Sequence, residues 1–90
     1  MFKTHGGFTT EQARAVAAEI GLDFTQVSFD VEQFRRGMDV ELEHGSRDPL
    51  TNVTNDDPMV TGRIAWAHLR EFPDYYDRLE AMEAEAERGA

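Results

Sequence analysis

The chain has 90 residues, no cysteine and 40% hydrophobic content, enough for one modest core without disulfides or a structural zinc. Eighteen acidic against nine basic residues give a formal charge of −9, which repels nucleic-acid phosphates and anionic lipids and argues against both as partners. Without cysteine, thiolate catalysis, zinc ribbons and iron–sulfur clusters are excluded, and any metal must be held by His, Asp or Glu.

No window approaches the roughly 18 apolar residues of a membrane span, and the N-terminus lacks the order of a secretory signal, so the expected location is the cytoplasm. Met1 to Phe8 show no periodicity and are expected to be a flexible N-terminal arm in which His5 is incidental. Residues 9–90 are expected to form a single helical domain. Thr9 and Gln12 make a capping-box pattern; Ala13, Val16, Ala17 and Ile20 then repeat with helical spacing until Gly21 supplies a stop. Leu22 to Phe29 is too short and mixed for a paired strand and has room for a turn. Asp30 and Gln33 form the next capping pattern, with Phe29 and Phe34 at the positions of a hydrophobic staple, predicting a second helix from about Val31 to His44 ended by Gly45.

Gly45 to Asp57 reads GSRDPLTNVTNDD, a structured loop by composition. Its Asp48, Asn52, Asn55, Asp56 and Asp57 do not fit the alternating calcium-loop spacing, and turn chemistry is the better reading. Asp57 then caps a third helix beginning at Pro58 and running to Glu71 or Phe72, where Pro73 breaks it. A fourth helix, about Asp74 to Arg88, carries Tyr75, Leu79, Met82 and Ala86 on one stripe, and its far end is expected to fray. The fold class is therefore all-α: a small bundle of three main helices plus a C-terminal helix after a proline break. Val16, Ile20, Phe34, Met38, Ile64, Leu69, Tyr75 and Leu79 are the expected core.

Helical phase then selects polar candidates. Val31, Phe34 and Met38 share the inward face of the second helix, Glu41 continues that stripe, and His44 lies at its edge. On the third helix Val60, Ile64 and Ala67 define an apolar face on which His68 and Glu71 also fall. A Glu-x-x-His pair is what di-metal carboxylate bundles use, so Glu41, His44, His68 and Glu71 are the candidate ligands for a divalent metal, with manganese, iron and zinc all compatible. In an antiparallel arrangement of helices two and three, however, His44 would lie roughly 15 Å along the axis from His68. The alternative is structural: His44 at the negative end of its helix, Glu71 accepting from the free amides of helix four, His68 an ordinary hydrogen-bonded core histidine. Met59, Arg63, Trp66 and Arg70 follow one another on the other side of helix three. They form a candidate protein-binding stripe, the alternative being a buried Trp66 with arginines that neutralise nearby acids.

Two segments, Gly37-Met38-Asp39-Val40-Glu41-Leu42-Glu43-His44 and Ile64-Ala65-Trp66-Ala67-His68-Leu69-Arg70-Glu71-Phe72-Pro73-Asp74-Tyr75-Tyr76, resemble a family of small modules of unknown function found in bacterial and phage-derived proteins. The likeness covers about half the chain. In compact members a short Asp-Pro turn joins the segments, whereas Gly45 to Asp57 is longer here. The resemblance implies a shared fold and brings no activity with it. With no recognisable catalytic set, the expected function is that of a binding or accessory module acting on a protein partner or a second copy. No cofactor is required; divalent-metal binding stands as the second reading, and acid–base catalysis by the two imidazoles and several carboxylates, with no substrate indicated, as the third.

Overall fold

The computed structural model describes residues 7–89. The expected arm falls outside the described residues except for Gly7 and Phe8, and so does His5. The described residues form α1 (Thr10–Ile20), α2 (Val31–Glu41), α3 (Pro58–Glu71) and α4 (Tyr75–Gly89), with 3-10 turns at Phe24–Gln26 and Leu42–His44. None of them is in a strand.

Local chemistry sets most of the boundaries. Thr9 and Gln12 exchange side chain and backbone hydrogen bonds at 3.0 and 2.9 Å, completing the capping box of α1. Gly21, at φ 82°, ends that helix in the left-handed conformation glycine adopts without strain. Asp30 accepts from the Gln33 N–H at 2.9 Å to start α2, and Asp57 accepts from Met59 and Val60 ahead of Pro58 to start α3. Phe72, extended as a residue before proline prefers, closes α3.

The end of α2 departs from the predicted helix. The α-helical part stops at Glu41, the last turn tightens into the 3-10 form through His44, and Gly45 follows at φ −103°, outside the left-handed region. What demands glycine there is space, since a Cβ would collide with Asp56 Oδ1 and lie 3.1 Å from Thr54 Oγ1. The His44 carbonyl accepts from the Val53 and Thr54 N–H groups at 2.7 and 3.2 Å, so the loop doubles back onto the end of α2 before α3 begins.

The core forms where α1, α2 and α3 meet, and α4 rests on α2 and α3. Val16, Phe34, Met38 and Leu69 are buried as expected, while Ile20, Ile64, Tyr75 and Leu79 are only half-buried. Leu22, Phe29, Ala65 and Tyr76 are core residues that the periodicity did not select. Phe24, in the first 3-10 turn, meets Phe29 and Phe34 edge-on at centroid distances of 6.2 and 5.9 Å, joining the two staple positions through a third ring.

The predicted inward face of α3 is wrong by roughly a third of a turn. Thr61, Gly62, Ala65 and Leu69 face inward, Val60 and Ile64 are half-buried, and Ala67 and Glu71 are exposed. Close approach decides this. A Cβ on Gly62 would stand 2.6 Å from Val16 Cγ1, and one on Gly37 would stand 3.1 Å from the Ala65 Cβ. Thr61 tolerates full burial because its hydroxyl donates to the Asp57 carbonyl at 2.8 Å.

Candidate functional site

Glu41, the last residue of α2, is 3% exposed. A carboxylate so buried is costly unless donors or positive charge meet it, and here they come from three elements. From α4, the Tyr76 hydroxyl donates to Glu41 Oε2 at 2.7 Å. From the 3-10 turn after α2, His44 Nε2 lies 3.5 Å from Oε1; from α3, His68 Nε2 lies 3.6 Å from Oε2. Both separations are longer than those of ordinary direct hydrogen bonds.

The aromatic rings fix the geometry. His68 stacks on Tyr75 with centroids 4.2 Å apart and planes 10° from parallel, and it meets Tyr76 edge-on at 6.3 Å. Burial first, then the charge of Glu41 and the hydrogen bond to it, push the Tyr76 phenol far above its ordinary range. Tyr76 therefore stays protonated and remains a donor. The Tyr75 phenol is also raised, by burial and then by Glu41, Glu71 and Glu43. The outcome is a buried carboxylate covered by two imidazoles whose side chains keep 46% and 32% exposure.

Three of the four candidate ligands thus converge, Glu41, His44 and His68. Glu71 is exposed, and no hydrogen bond or ion pair joins it to them. The separation foreseen for an antiparallel pair does not arise. Contacts advance in the same sense along α2 and α3: Phe34 at the Gly62 position, Gly37 at Ala65, Glu41 at His68. Among the described residues no three His, Asp or Glu side chains are placed to hold one metal ion as they stand. The imidazoles address opposite oxygens of Glu41, and one of those oxygens already accepts from Tyr76.

The outer face of α3 presents the other candidate set. Met59 and Trp66 are half-buried and pack against the core, and the indole N–H is buried without an acceptor. Arg63 and Arg70 are exposed. Arg35 pairs with Glu32 and Asp39, Arg36 with Asp77 and Glu80, and Arg78 with Asp74. Neither Arg63 nor Arg70 has such a partner among the described residues.

The loop side chains serve their own backbone. Asp48 accepts from the Leu50 N–H, Asn52 from Asn55, and Asp56 from Ser46 at 2.8–3.0 Å. A further buried acid, Asp39, escaped the sequence reading. It accepts from the Phe8 N–H at 2.7 Å and from Arg35 at 2.8 Å, and burial raises its pKa against those two contacts. Its phase beside Met38 was the available signal.

Neither the curated proteins nor the solved structures contain a match to this chain. Residues 13–85 match the model of the family described as "Protein of unknown function (DUF5661)", and the chain, matched over most of its length, belongs to that family.

Proposed function

We propose that this chain is a small accessory module that binds a protein partner through the outer face of α3. Met59 and Trp66 supply the apolar contact, and Arg63 and Arg70 supply charge to a carboxylate-rich partner. One observation carries this reading. On a chain of charge −9, these two arginines stand exposed, without an ion-pair partner among the described residues, beside a half-buried tryptophan whose indole N–H has no acceptor; Arg14 and Arg47 are likewise exposed without such a partner, and the neighbouring tryptophan is what sets Arg63 and Arg70 apart. Trp and Arg are also the residue types that most often dominate binding energy.

The test compares the parent with an Arg63→Glu/Arg70→Glu variant of unchanged circular dichroism. Proteins retained by the immobilised parent are to be absent from the variant, and an acidic peptide is to shift Trp66 emission in the parent alone. Retention of the same proteins by both forms would overturn the reading.

A second reading, divalent-metal binding, is favoured by the convergence of His44 and His68 on the Glu41 carboxylate. It requires the imidazoles to turn toward one point and Glu71 to swing inward, with manganese, iron and zinc as the candidates for such a donor set. Titration of each metal into tag-free protein tests it. If neither the melting temperature nor the histidine NMR signals move, the three residues have structural roles.

A further inference from the structure

A second surface, distinct from the outer face of α3, is built by α4 and the residue before Pro73. Phe72, Tyr75, Leu79 and Met82 line a hollow of about 290 Å³. Their spacing places them on one stripe. Phe72 and Met82 are 50% and 59% exposed. Tyr75 and Leu79 are half-buried against the core, so the groove runs outward from packed structure along α4. Arg78 borders it but contributes no free charge. Its guanidinium lies 5.4 Å over the Phe72 ring, and its Nε is 2.8 Å from Asp74 Oδ1.

The charge around the groove is negative at both ends. Beyond Met82 the helix carries Glu83, Glu85 and Glu87 against Arg88 alone. At the other end the carboxylates of Glu41, Glu71 and Glu43 lie close enough to Tyr75 to add, after burial, to the raising of its phenol. An apolar strip about two turns long, flanked by acids, matches a helix with apolar residues at i, i+3/i+4 and i+7 and lysines or arginines beside them. A second copy of this chain is a poor fit, because it would bring the same acidic helix and another net charge of −9 against the groove.

We infer that the Phe72–Met82 groove docks a basic amphipathic helix from a partner protein. The site does not depend on the α3 surface, and the two can fail separately.

The probe is an amphipathic Leu/Lys peptide of about 18 residues, compared with a Leu/Glu peptide of the same pattern and a scrambled Leu/Lys peptide. The Leu/Lys peptide is expected to shift the NMR signals of Phe72, Tyr75, Leu79 and Met82. The Leu/Glu and scrambled peptides should bind at least about tenfold more weakly. Met82→Asp separates docking from plain charge attraction, since the added acid tightens electrostatic binding but puts a carboxylate in the apolar strip. Weakening by about tenfold or more supports docking, and unchanged or tighter binding overturns it. Met82 is exposed, so the variant keeps its core. Arg63→Glu/Arg70→Glu should leave peptide binding unreduced; if it abolishes the shifts, the peptide is on α3 and the groove is not the site. Sedimentation of the chain alone should show a monomer. A dimer lost in Met82→Asp would make a second copy the occupant and overturn the inference.

Discussion

Alanine at position 37 sets two opposed effects against each other. Gly37 lies in the middle of α2, where helix propensity favours alanine over glycine by about 1 kcal/mol. The new Cβ would collide with the edge of the Tyr76 ring, standing 2.9 Å from Cζ, and would lie 3.1 Å from the Ala65 Cβ. Overpacking of this kind costs about 1–3 kcal/mol. Tyr76 is fully buried and cannot withdraw without stretching its 2.7 Å hydrogen bond to Glu41, a bond to a charged acceptor worth about 1.5–3 kcal/mol. Packing therefore wins, and Gly37→Ala should lower unfolding stability by about 1.5–5 kcal/mol when the overpacking and the stretched hydrogen bond are taken together and the propensity gain is subtracted. Urea unfolding followed by far-UV circular dichroism reads the change, with an unchanged m-value showing that compactness is kept. Gly21→Ala is the control. Its φ is 82° and no atom lies within 4 Å of its would-be Cβ, so it should cost only the conformational penalty of about 1 kcal/mol. A Gly37→Ala protein as stable as the parent, or more so, would refute the close contact of α2 with α4.

Tyr76→Phe keeps the ring and removes the donor, and should cost about 1.5–3 kcal/mol in the same assay. A loss below about 0.5 kcal/mol would mean that solvent or an imidazole satisfies Glu41 instead. Asp77 accepts from Arg36 at 2.6 Å and from Gln33 at 3.1 Å, and these contacts, Arg36 first, lower its pKa from the ordinary 3.8. A lowered folded-state pKa stabilises fully above 3.8, and that stabilisation is lost as pH falls through the folded value. The carboxylate is half-exposed, so Asp77→Asn should cost only about 0.2–1 kcal/mol near neutrality. Thermal melts should show the difference closing as pH falls below 3.8, and a difference independent of pH would remove the ion pair from the account.

What the sequence discloses is mostly local. Thr9, Gly21, Asp30, Asp57 and Pro73 act on backbone groups a few residues away, and the helices start and stop close to where these residues place them. The inward face of α3 was illegible because hydropathy ranks Ile64 above Thr61 and Gly62. Thr61 carries its own acceptor within the helix, and Gly62 is selected by the space beneath Val16. Glu41 and His44 follow from spacing on one helix. His68 keeps its place because it sits at the edge of either face, while Glu71 moves out to solvent with the corrected phase. Tyr76 was passed over for Tyr75 because one residue in the phase of α4 decides which ring is buried.

The Glu41 cluster also bears on how α4 is presented. α4 is held by the Tyr76 ring against Gly37, by the Tyr76 hydroxyl on Glu41, and by Asp77 and Glu80 on Arg36. Tyr75, between these anchors and the groove, stacks on His68 on one side and lines the hollow with Leu79 on the other. The groove is therefore complete only while α4 is docked, and the buried carboxylate that looks like a site by its residue types is part of what docks it. Because polar contacts of this kind are directional, they fix the rotation of α4 more tightly than the apolar contact of Leu79 alone would. That rotation sets which side chains the helix offers to a partner.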